Sequence, residues 1–223
     1  MGSEIITFDC YGTLIDWEGS ICDAFRNAMV SGGFDRVDEA RLFELYEAEE
    51  RRVEKEAYRP YREVLTETTL RVAKMVGWNL PEEEAGFLAK TLPRWRPFED
   101  VNPALKRLSQ SYSLGILSNV DEELLLGTLK HFPVSFDLIV TAEQVHAYKP
   151  SRAHFDRARE VIGWEKDWVH VAGSLYHDIE PAQRLGIKAI WINRKGLISP
   201  GSFPKGTVQE EQSLSGLVGL LSF

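Results

Sequence analysis

The chain has 223 residues, a formal net charge of −8, 43% hydrophobic residues and 27% charged residues. This balance excludes a disordered chain and fits one α/β domain with an inserted subdomain, or two small domains. Because the charge is negative and no cluster of Lys and Arg lies among aromatic residues, we expect no nucleic-acid partner.

The cysteines and the lengths of the apolar runs indicate the cellular compartment of the protein. Cys10 and Cys22 are too few for a disulfide framework, and no CxxC pair suggests a zinc site. No signal-peptide pattern opens the sequence, and no apolar run reaches about 18 residues. We therefore expect a cytoplasmic protein without membrane partners. A monomer or a homodimer is the expected assembly.

The first predicted element is a short apolar strand that ends at a carboxylate. Residues 5–8 are apolar or β-branched, which is typical of a strand buried on both faces of a parallel sheet. Asp9 follows, and Gly12 and Thr13 predict a tight turn. Ligands gather at the carboxyl ends of parallel strands, so Asp9 is a candidate nucleophile. The alternative is an Asp that only caps the turn.

Residues 17–96 have helical patterns and no clear strand. Apolar residues recur at helical spacing in 17–29, 42–46 and 65–76, and Pro81 followed by three acids predicts a further helix that runs to about residue 92. The charged run at 47–56 predicts a solvated helix face. We expect this block to be a cap inserted after the first strand.

After residue 96, predicted strands and helices alternate, which favours a Rossmann-like parallel sheet flanked by helices, an α/β fold. The expected division is a core of residues 1–16 and 97–223 and a helical cap of residues 17–96. Residues 214–223 predict a terminal helix or strand packed on the core. The predicted strands are residues 113–118, 136–140, 168–172 and 188–192, and the predicted helices are residues 102–110, 121–131, 152–162 and 179–185.

Polar groups follow four of these strands, where each strand ends or shortly after it. Two of these groups have a purely structural alternative: Lys149 could be a surface lysine, and Asp178 could be the N-cap of the next helix. Four such groups in register with four strands favour a shared site. The groups are Asp9, Ser118 with Asn119, Lys149 with Pro150, and Gly173 with Ser174 and Asp178.

The segment Phe-Asp-Cys-Tyr-Gly-Thr-Leu, together with the groups after the later strands, resembles the four motifs of the haloacid dehalogenase-like hydrolases across nearly the whole chain. The resemblance implies that Asp9 attacks the substrate and forms a covalent aspartyl intermediate. Lys149 would keep Asp9 ionised, and Asp178 would orient or deprotonate the water that breaks the ester. The expected catalytic set is Asp9, Thr13, Ser118, Lys149 and Asp178, and the expected substrate-binding set is Tyr11, Gly12, Trp17, Asn119 and Ser174.

Two departures from the phosphatases of the family bear on the reaction. Tyr11 stands where they carry a second Asp that protonates the leaving group, and Gly173 stands where they carry an acid that helps to hold magnesium. A halide leaves without a proton, whereas a phenol with a pKa of about 10 is a poor acid at neutral pH. Asp9 and Asp178 alone would form only a weak magnesium site.

These departures favour a 2-haloacid dehalogenase that acts on a small anionic substrate and needs no cofactor. The first alternative is a phosphate monoester hydrolase with a degenerate magnesium site, and the second is a catalytically silent binding module.

The resemblance to the dehalogenases also has gaps. Their cap arginine is expected near Tyr46 or Glu47, where no arginine stands, while Phe155 and Leu175 replace a Tyr and an Asn. His177 could compensate for the latter. The possible substitutes for the cap arginine are Arg41, Arg51, Arg52, Arg59 and Arg62, and the aromatic residues that either line a pocket or form the cap core are Trp17, Tyr58, Tyr61, Trp95 and Phe98.

Overall fold

A parallel six-stranded sheet organises the chain, of which the computed structural model describes residues 5–34, 38–164, 167–197 and 209–221. Every strand pair is parallel, and the order is β3-β2-β1-β4-β5-β6. The predicted α/β, Rossmann-like fold is confirmed. The strands are β1 Ile5–Phe8, β2 Ser113–Ser118, β3 Leu138–Thr141, β4 Trp168–Ala172, β5 Lys188–Ile192 and β6 Gln209–Glu211.

Strand β1 lies in the interior of the sheet, between β2 and β4. All four of its residues are buried, as expected of an apolar strand with neighbours on both sides. Phe8 is in register with Ile116 on β2 and Val171 on β4, and the Asp9 amide extends the ladder by donating to the Val171 carbonyl at 3.0 Å. The carboxyl ends of β1, β2 and β4 therefore lie side by side.

None of the described residues of 17–96 belongs to a strand, in keeping with the predicted helical block. Its two ends meet, because the Asp16 amide donates to the Arg96 carbonyl at 2.9 Å. The division into core and cap at these residues stays a prediction. The helices of this block are α1 Trp17–Ser31, α2 Glu39–Val53, α3 Tyr61–Val76 and α4 Phe87–Thr91.

The remaining helices pack around the sheet. Within the described residues, no helix combines the length and apolar character needed to span a bilayer. These helices are α5 Val101–Leu108, α6 Glu122–Leu129, α7 Ala142–Val145, α8 Ala153–Ile162, α9 Glu180–Arg184 and α10 Leu214–Leu221.

Several predicted boundaries were wrong. The continuous helix from Pro81 to residue 92 is two single 3₁₀ turns around the short α4, because Gly86 interrupts the pattern and Pro93 lacks the amide proton that a continuing helix needs. The helix predicted at 179–185 is the shorter α9, preceded by a π turn, Leu175–Ile179. Strand β6 was missed because it is short and charged, as edge strands often are. Residues 222 and 223 of the predicted terminal element lie outside the described residues.

Candidate active site

The turn after β1 folds back to hold the Asp9 carboxylate. The Cys10 carbonyl accepts hydrogen bonds from the amides of Leu14 and Ile15, at 2.8 and 2.9 Å. Gly12 has a φ of +89°, which favours glycine. The turn brings the Thr13 hydroxyl to Asp9 Oδ2, to which it donates at 2.6 Å. One carboxylate oxygen of Asp9 is thus fixed by its own motif.

Lys149 lies between two carboxylates and is almost fully buried. Its Nζ donates to Asp9 Oδ1 at 2.9 Å, to Asp178 Oδ1 at 2.6 Å and to the Leu117 carbonyl at 2.8 Å. Only 1% of the Lys149 surface is exposed, so the surface-lysine alternative is wrong. All three ammonium protons have acceptors, as a buried lysine requires.

The charges of this cluster shift one another's pKa values. Burial raises the pKa of Asp9 and the nearby Asp178 carboxylate adds to the rise, while the Lys149 ammonium opposes it. Burial would also raise the pKa of Asp178, but Lys149 and a hydrogen bond from His170 lower it overall. Burial disfavours the charge on Lys149, yet the two carboxylates raise its pKa. The site therefore holds one ammonium shared by two acids.

Asp178 does not cap α9. It lies in the π turn that precedes this helix, and the residue at the N-cap of α9 is Ile179, which makes no capping hydrogen bond through its side chain. The Asp178 side chain instead points back to Lys149 and His170. The distant motifs of the first, third and fourth strand ends meet at this point.

Ser118 and Asn119 end strand β2 and differ in how they are bound. Ser118 borders the cavity described below, and its buried hydroxyl has no hydrogen-bond partner among the described residues. Asn119 accepts from the Lys149 amide at 2.7 Å and donates to the Lys149 carbonyl at 3.1 Å. Asn119 therefore ties the Lys149 loop to β2, whereas the Ser118 hydroxyl has bonding capacity left for a substrate.

Tyr11 and Trp17 make contacts that the sequence did not reveal. The Tyr11 hydroxyl lies 2.9 Å from the Thr128 hydroxyl, and burial raises the Tyr11 pKa well above its usual value. This hydroxyl is therefore engaged with α6 and neutral, and the predicted substrate contact could come only from the rest of Tyr11. Trp17 packs edge-on against Phe43, with ring centroids 5.0 Å apart.

A cavity of about 700 Å³ opens over these strand ends. Of the predicted site residues, Thr13 alone does not border it, because its hydroxyl is turned toward Asp9 and the Gly173 amide. Among the five arginines considered as substitutes for the cap arginine, all in the described ranges, Arg51 alone borders the cavity. The predicted residues that border it are Asp9, Tyr11, Gly12, Trp17, Ser118, Asn119, Lys149, Ser174 and Asp178, and the aromatic candidates that do so are Trp17, Tyr61 and Phe98.

The cavity wall that residues 17–96 form, the cap wall, carries a buried acid that the sequence pattern missed. Glu50 lies in the run predicted to be solvated, yet it is buried, and its Oε1 accepts from the Tyr46 and Tyr61 hydroxyls at 2.9 and 2.8 Å. Burial, followed by the charge of Glu54, raises the pKa of Glu50 to about 8. The spacing of Glu50 four residues after buried Tyr46 is the signal that could have placed it on the inner face of α2.

Glu54 connects the helical block to the strand ends at the same wall. Its side chain accepts from Asn119 Nδ2 at 3.2 Å and lies 3.3 Å from His177 Nε2. Burial works against the charge on His177, but the contact with Glu54 raises its pKa overall. His177 therefore contacts Glu54, and because it also borders the cavity, its compensation for the missing Asn stays a prediction.

Arg194 is a further missed residue of the core. It donates to the Thr13 carbonyl at 2.9 Å and to Asp100 at 3.0 Å, and its guanidinium lies 3.9 Å from the centre of the Phe98 ring. It stabilises the backbone of the turn that carries Asp9. Its position two residues after β5 follows the same strand-end rule that identified the other groups.

The residues present do not fit a magnesium ion. The Lys149 ammonium bridges Asp9 and Asp178, the two carboxylates that would have to share the metal. An acid cannot replace Gly173 without movement, since a Cβ there would lie 2.8 Å from the Gly12 carbonyl oxygen. Within the described ranges, no three His, Cys, Asp or Glu residues are grouped as metal ligands. Magnesium prefers several oxygen ligands in octahedral geometry, which this arrangement does not offer.

The geometry agrees with the comparisons to known proteins. A family model described as haloacid dehalogenase-like hydrolase matches residues 6–192. The chain belongs to this family. It is therefore a hydrolase of the haloacid dehalogenase-like superfamily, as its motifs predicted.

Curated relatives and solved structures agree with this assignment. The chain is 27% identical over 135 residues to an (S)-2-haloacid dehalogenase of Pseudomonas sp. strain YL, with 59% of this chain and 58% of that protein covered. It is 27% identical over 197 residues to an (S)-2-haloacid dehalogenase of Pseudomonas putida, with 85% and 84% covered. An L-2-haloacid dehalogenase of Xanthobacter autotrophicus with chloropropionic acid covalently bound superposes with a TM-score of 0.80 at 18% identity, covering 98% of each chain.

Proposed function

We propose that this hydrolase removes halide from a small 2-halocarboxylic acid through an aspartyl ester on Asp9. The observation that carries the proposal is the cluster of Asp9, Lys149 and Asp178 in the cavity lining, with Tyr11 at the position where the phosphatases of the family carry a proton-donating Asp. Burial raises the pKa of Tyr11 well above its usual value, and its hydroxyl contacts the Thr128 hydroxyl. Tyr11 is therefore too weak an acid to protonate a leaving group. Halide is the leaving group that needs no proton.

In the first step, an oxygen of Asp9 attacks C2 of the substrate. A C–O bond forms, the C–halogen bond breaks, and the halide departs with the bonding electrons. The hydrogen bonds from Lys149 and Thr13 to the two Asp9 oxygens fix the carboxylate for this attack. The Ser118 hydroxyl and Arg51 are the donors proposed to bind the substrate carboxylate.

In the second step, water attacks Cγ of the Asp9 ester while Asp178 takes one of its protons. The ester C–O bond then breaks, and the departing alkoxide takes that proton back as the 2-hydroxy acid. The remaining proton leaves the Asp9 carboxyl for solvent, which regenerates the carboxylate. Lys149 stays charged throughout, and no cofactor takes part in either step.

A substrate panel tests the proposal. The purified protein is incubated with L- and D-2-chloropropionate, fluoroacetate and an aryl phosphate, each with magnesium and with chelator, and released halide and phosphate are measured. Halide release that is unchanged by chelator is the expected result. Magnesium-dependent phosphate release without halide release would support the phosphatase alternative. That alternative requires magnesium between Asp9 and Asp178, where the Lys149 ammonium lies.

A further inference from the structure

A second polar chain lies behind Asp178, and the two steps above make no use of it. His170 on β4 is fully buried, with Nε2 3.0 Å from Asp178 Oδ1 and Nδ1 2.8 Å from the Thr7 hydroxyl on β1. The Trp168 indole donates to the same Thr7 hydroxyl at 2.7 Å. Buried polar groups of this kind cost stability unless every partner is matched.

The donors and acceptors of this chain fix its direction. An indole N–H can only donate, so the Thr7 oxygen accepts from Trp168 and has its own proton to place. His170 Nδ1 is the acceptor available to that proton, and Asp178 Oδ1 requires a proton on Nε2. Both ends therefore select the same histidine tautomer, with the proton on Nε2.

This arrangement treats the two oxygens of Asp178 differently. Oδ1 accepts from both Lys149 and His170, whereas Oδ2 accepts from none of the described residues. Two donors on one oxygen, one from β4 and one from the Lys149 turn, fix the orientation of the carboxylate. Oδ2 is left with its lone pairs free to take a proton.

We infer that His170 is a positioning residue, held by Thr7 and Trp168, which reserves Asp178 Oδ2 for the water that hydrolyses the aspartyl ester. The inference rests on the proposed two-step reaction. His170 contacts no reacting atom and acts only through Asp178. Its loss should therefore slow ester hydrolysis and leave ester formation nearly unchanged.

Rapid-quench kinetics with 2-chloropropionate separate the two steps. In His170→Leu, we expect halide to be released in a burst of one equivalent, followed by turnover slowed roughly 100-fold, with the ester detected by mass spectrometry on the peptide that contains Asp9. His170→Gln can place an amide N–H close to the position of Nε2 and should recover turnover to within about 10-fold of the wild type. Equal slowing of both steps, or a Gln variant no better than Leu, would overturn the inference.

The histidine tautomer gives a second test that needs no turnover. In ¹⁵N spectra of the resting protein, His170 should show a protonated Nε2 and an unprotonated Nδ1, and Thr7→Val should introduce the other tautomer. Thr68→Val is the matched control, since Thr68 is equally buried and its hydroxyl has no partner among the described residues. A protonated Nδ1 in the wild type would refute the inference. Absence of halide release together with the expected tautomer would instead refute the proposed reaction.

Discussion

On the sheet side of the cavity, one lysine ammonium contacts two carboxylates; on the cap side, buried Glu50 meets two tyrosine hydroxyls, and none of the described cations lies within hydrogen-bonding distance of it. The sheet side is built from strand ends that the parallel topology brings together. The cap side is built from one face of α2. The family motifs lie entirely on the sheet side, whereas no arginine stands near Tyr46 or Glu47, where the resemblance to the dehalogenases predicts the cap arginine.

This difference between the two walls suggests that the strand ends carry the reaction and that α2 governs which substrate binds. The groups that attack, stay charged and accept a proton lie in turns that follow buried strands, which suits chemistry that needs fixed geometry. The cap wall contributes Glu50, Glu54 and Arg51 to the cavity lining, and in the proposed reaction these groups would meet the part of the substrate that points away from Asp9. Changes on the sheet side should therefore abolish turnover, whereas changes on the cap wall should alter binding and pH dependence.

The largest effect is expected from Asp9→Asn. The amide keeps the shape of the side chain but is a poor nucleophile, so turnover should fall by roughly 1,000-fold or more. Steady-state halide release measures the loss, and a circular dichroism spectrum checks that the fold is kept. A variant that binds its ligand unchanged while the wild type shows no turnover on any substrate would favour the silent binding module.

Lys149→Met should be next in size, and it affects stability as well as turnover. It leaves Asp9 and Asp178 buried without their shared cation, a loss that costs about 3–5 kcal/mol for a buried pair. Urea unfolding at pH 7 measures this, with Lys195→Met as control because Lys195 is exposed and its ion pair with Glu18 is at the surface.

The pH dependence of the Lys149→Met deficit follows from Asp178. Its pKa is lowered in the folded wild type, so the stabilisation is present above the unfolded value of 3.8 and is lost as the pH falls through the folded value. The deficit of the variant should shrink at acidic pH. A deficit that stays constant down to the pH of acid unfolding would contradict the role given to the ion pair.

The sequence predicted the sheet side far better than the cap side, for physical reasons. Asp9, Ser118, Lys149 and Asp178 each follow an apolar strand or its loop, and parallel strands must bring such groups to one edge. Their order along the chain was enough to assemble them, although not to give the roles of His170 and Thr7. Those two lie within strands, where a polar residue gives no sign of its partner.

The cap wall could not be predicted in the same way. A dense run of charges normally marks a solvated helix face, yet in α2 this run also turns Glu49 and Glu50 inward. Burial of Glu50 depends on tyrosines from α2 and α3 that meet only in the folded chain. Arg194 was missed for a related reason, since its partners Thr13 and Asp100 are 181 and 94 positions away in sequence.

Glu50→Gln tests the cap wall through stability. The pKa of Glu50 rises from 4.5 to about 8 on folding, so the folded state favours the protonated acid. Wild-type stability contributed by this group therefore falls as the pH rises from about 4.5 to about 8. Gln cannot ionise and should be more stable than the wild type by roughly 2–4 kcal/mol at pH 9, with little difference at pH 5. A difference that does not vary with pH would show that Glu50 ionises normally.

The smallest effect, and the sharpest test of substrate choice, is expected from Arg51→Ala. Arg51 borders the cavity, donates to Glu47 at 2.8 Å and has a buried Nε without a partner among the described residues, so it has donors to spare for a substrate carboxylate. Its removal should raise KM for 2-chloropropionate about 5- to 10-fold with a smaller change in kcat, since uniform binding is lost. Arg52→Ala is the matched control, because the neighbouring Arg52 is exposed, pairs with Glu49 and does not border the cavity. If both variants behave alike, Arg51 does not bind the substrate carboxylate, and the Ser118 hydroxyl would be the remaining proposed donor.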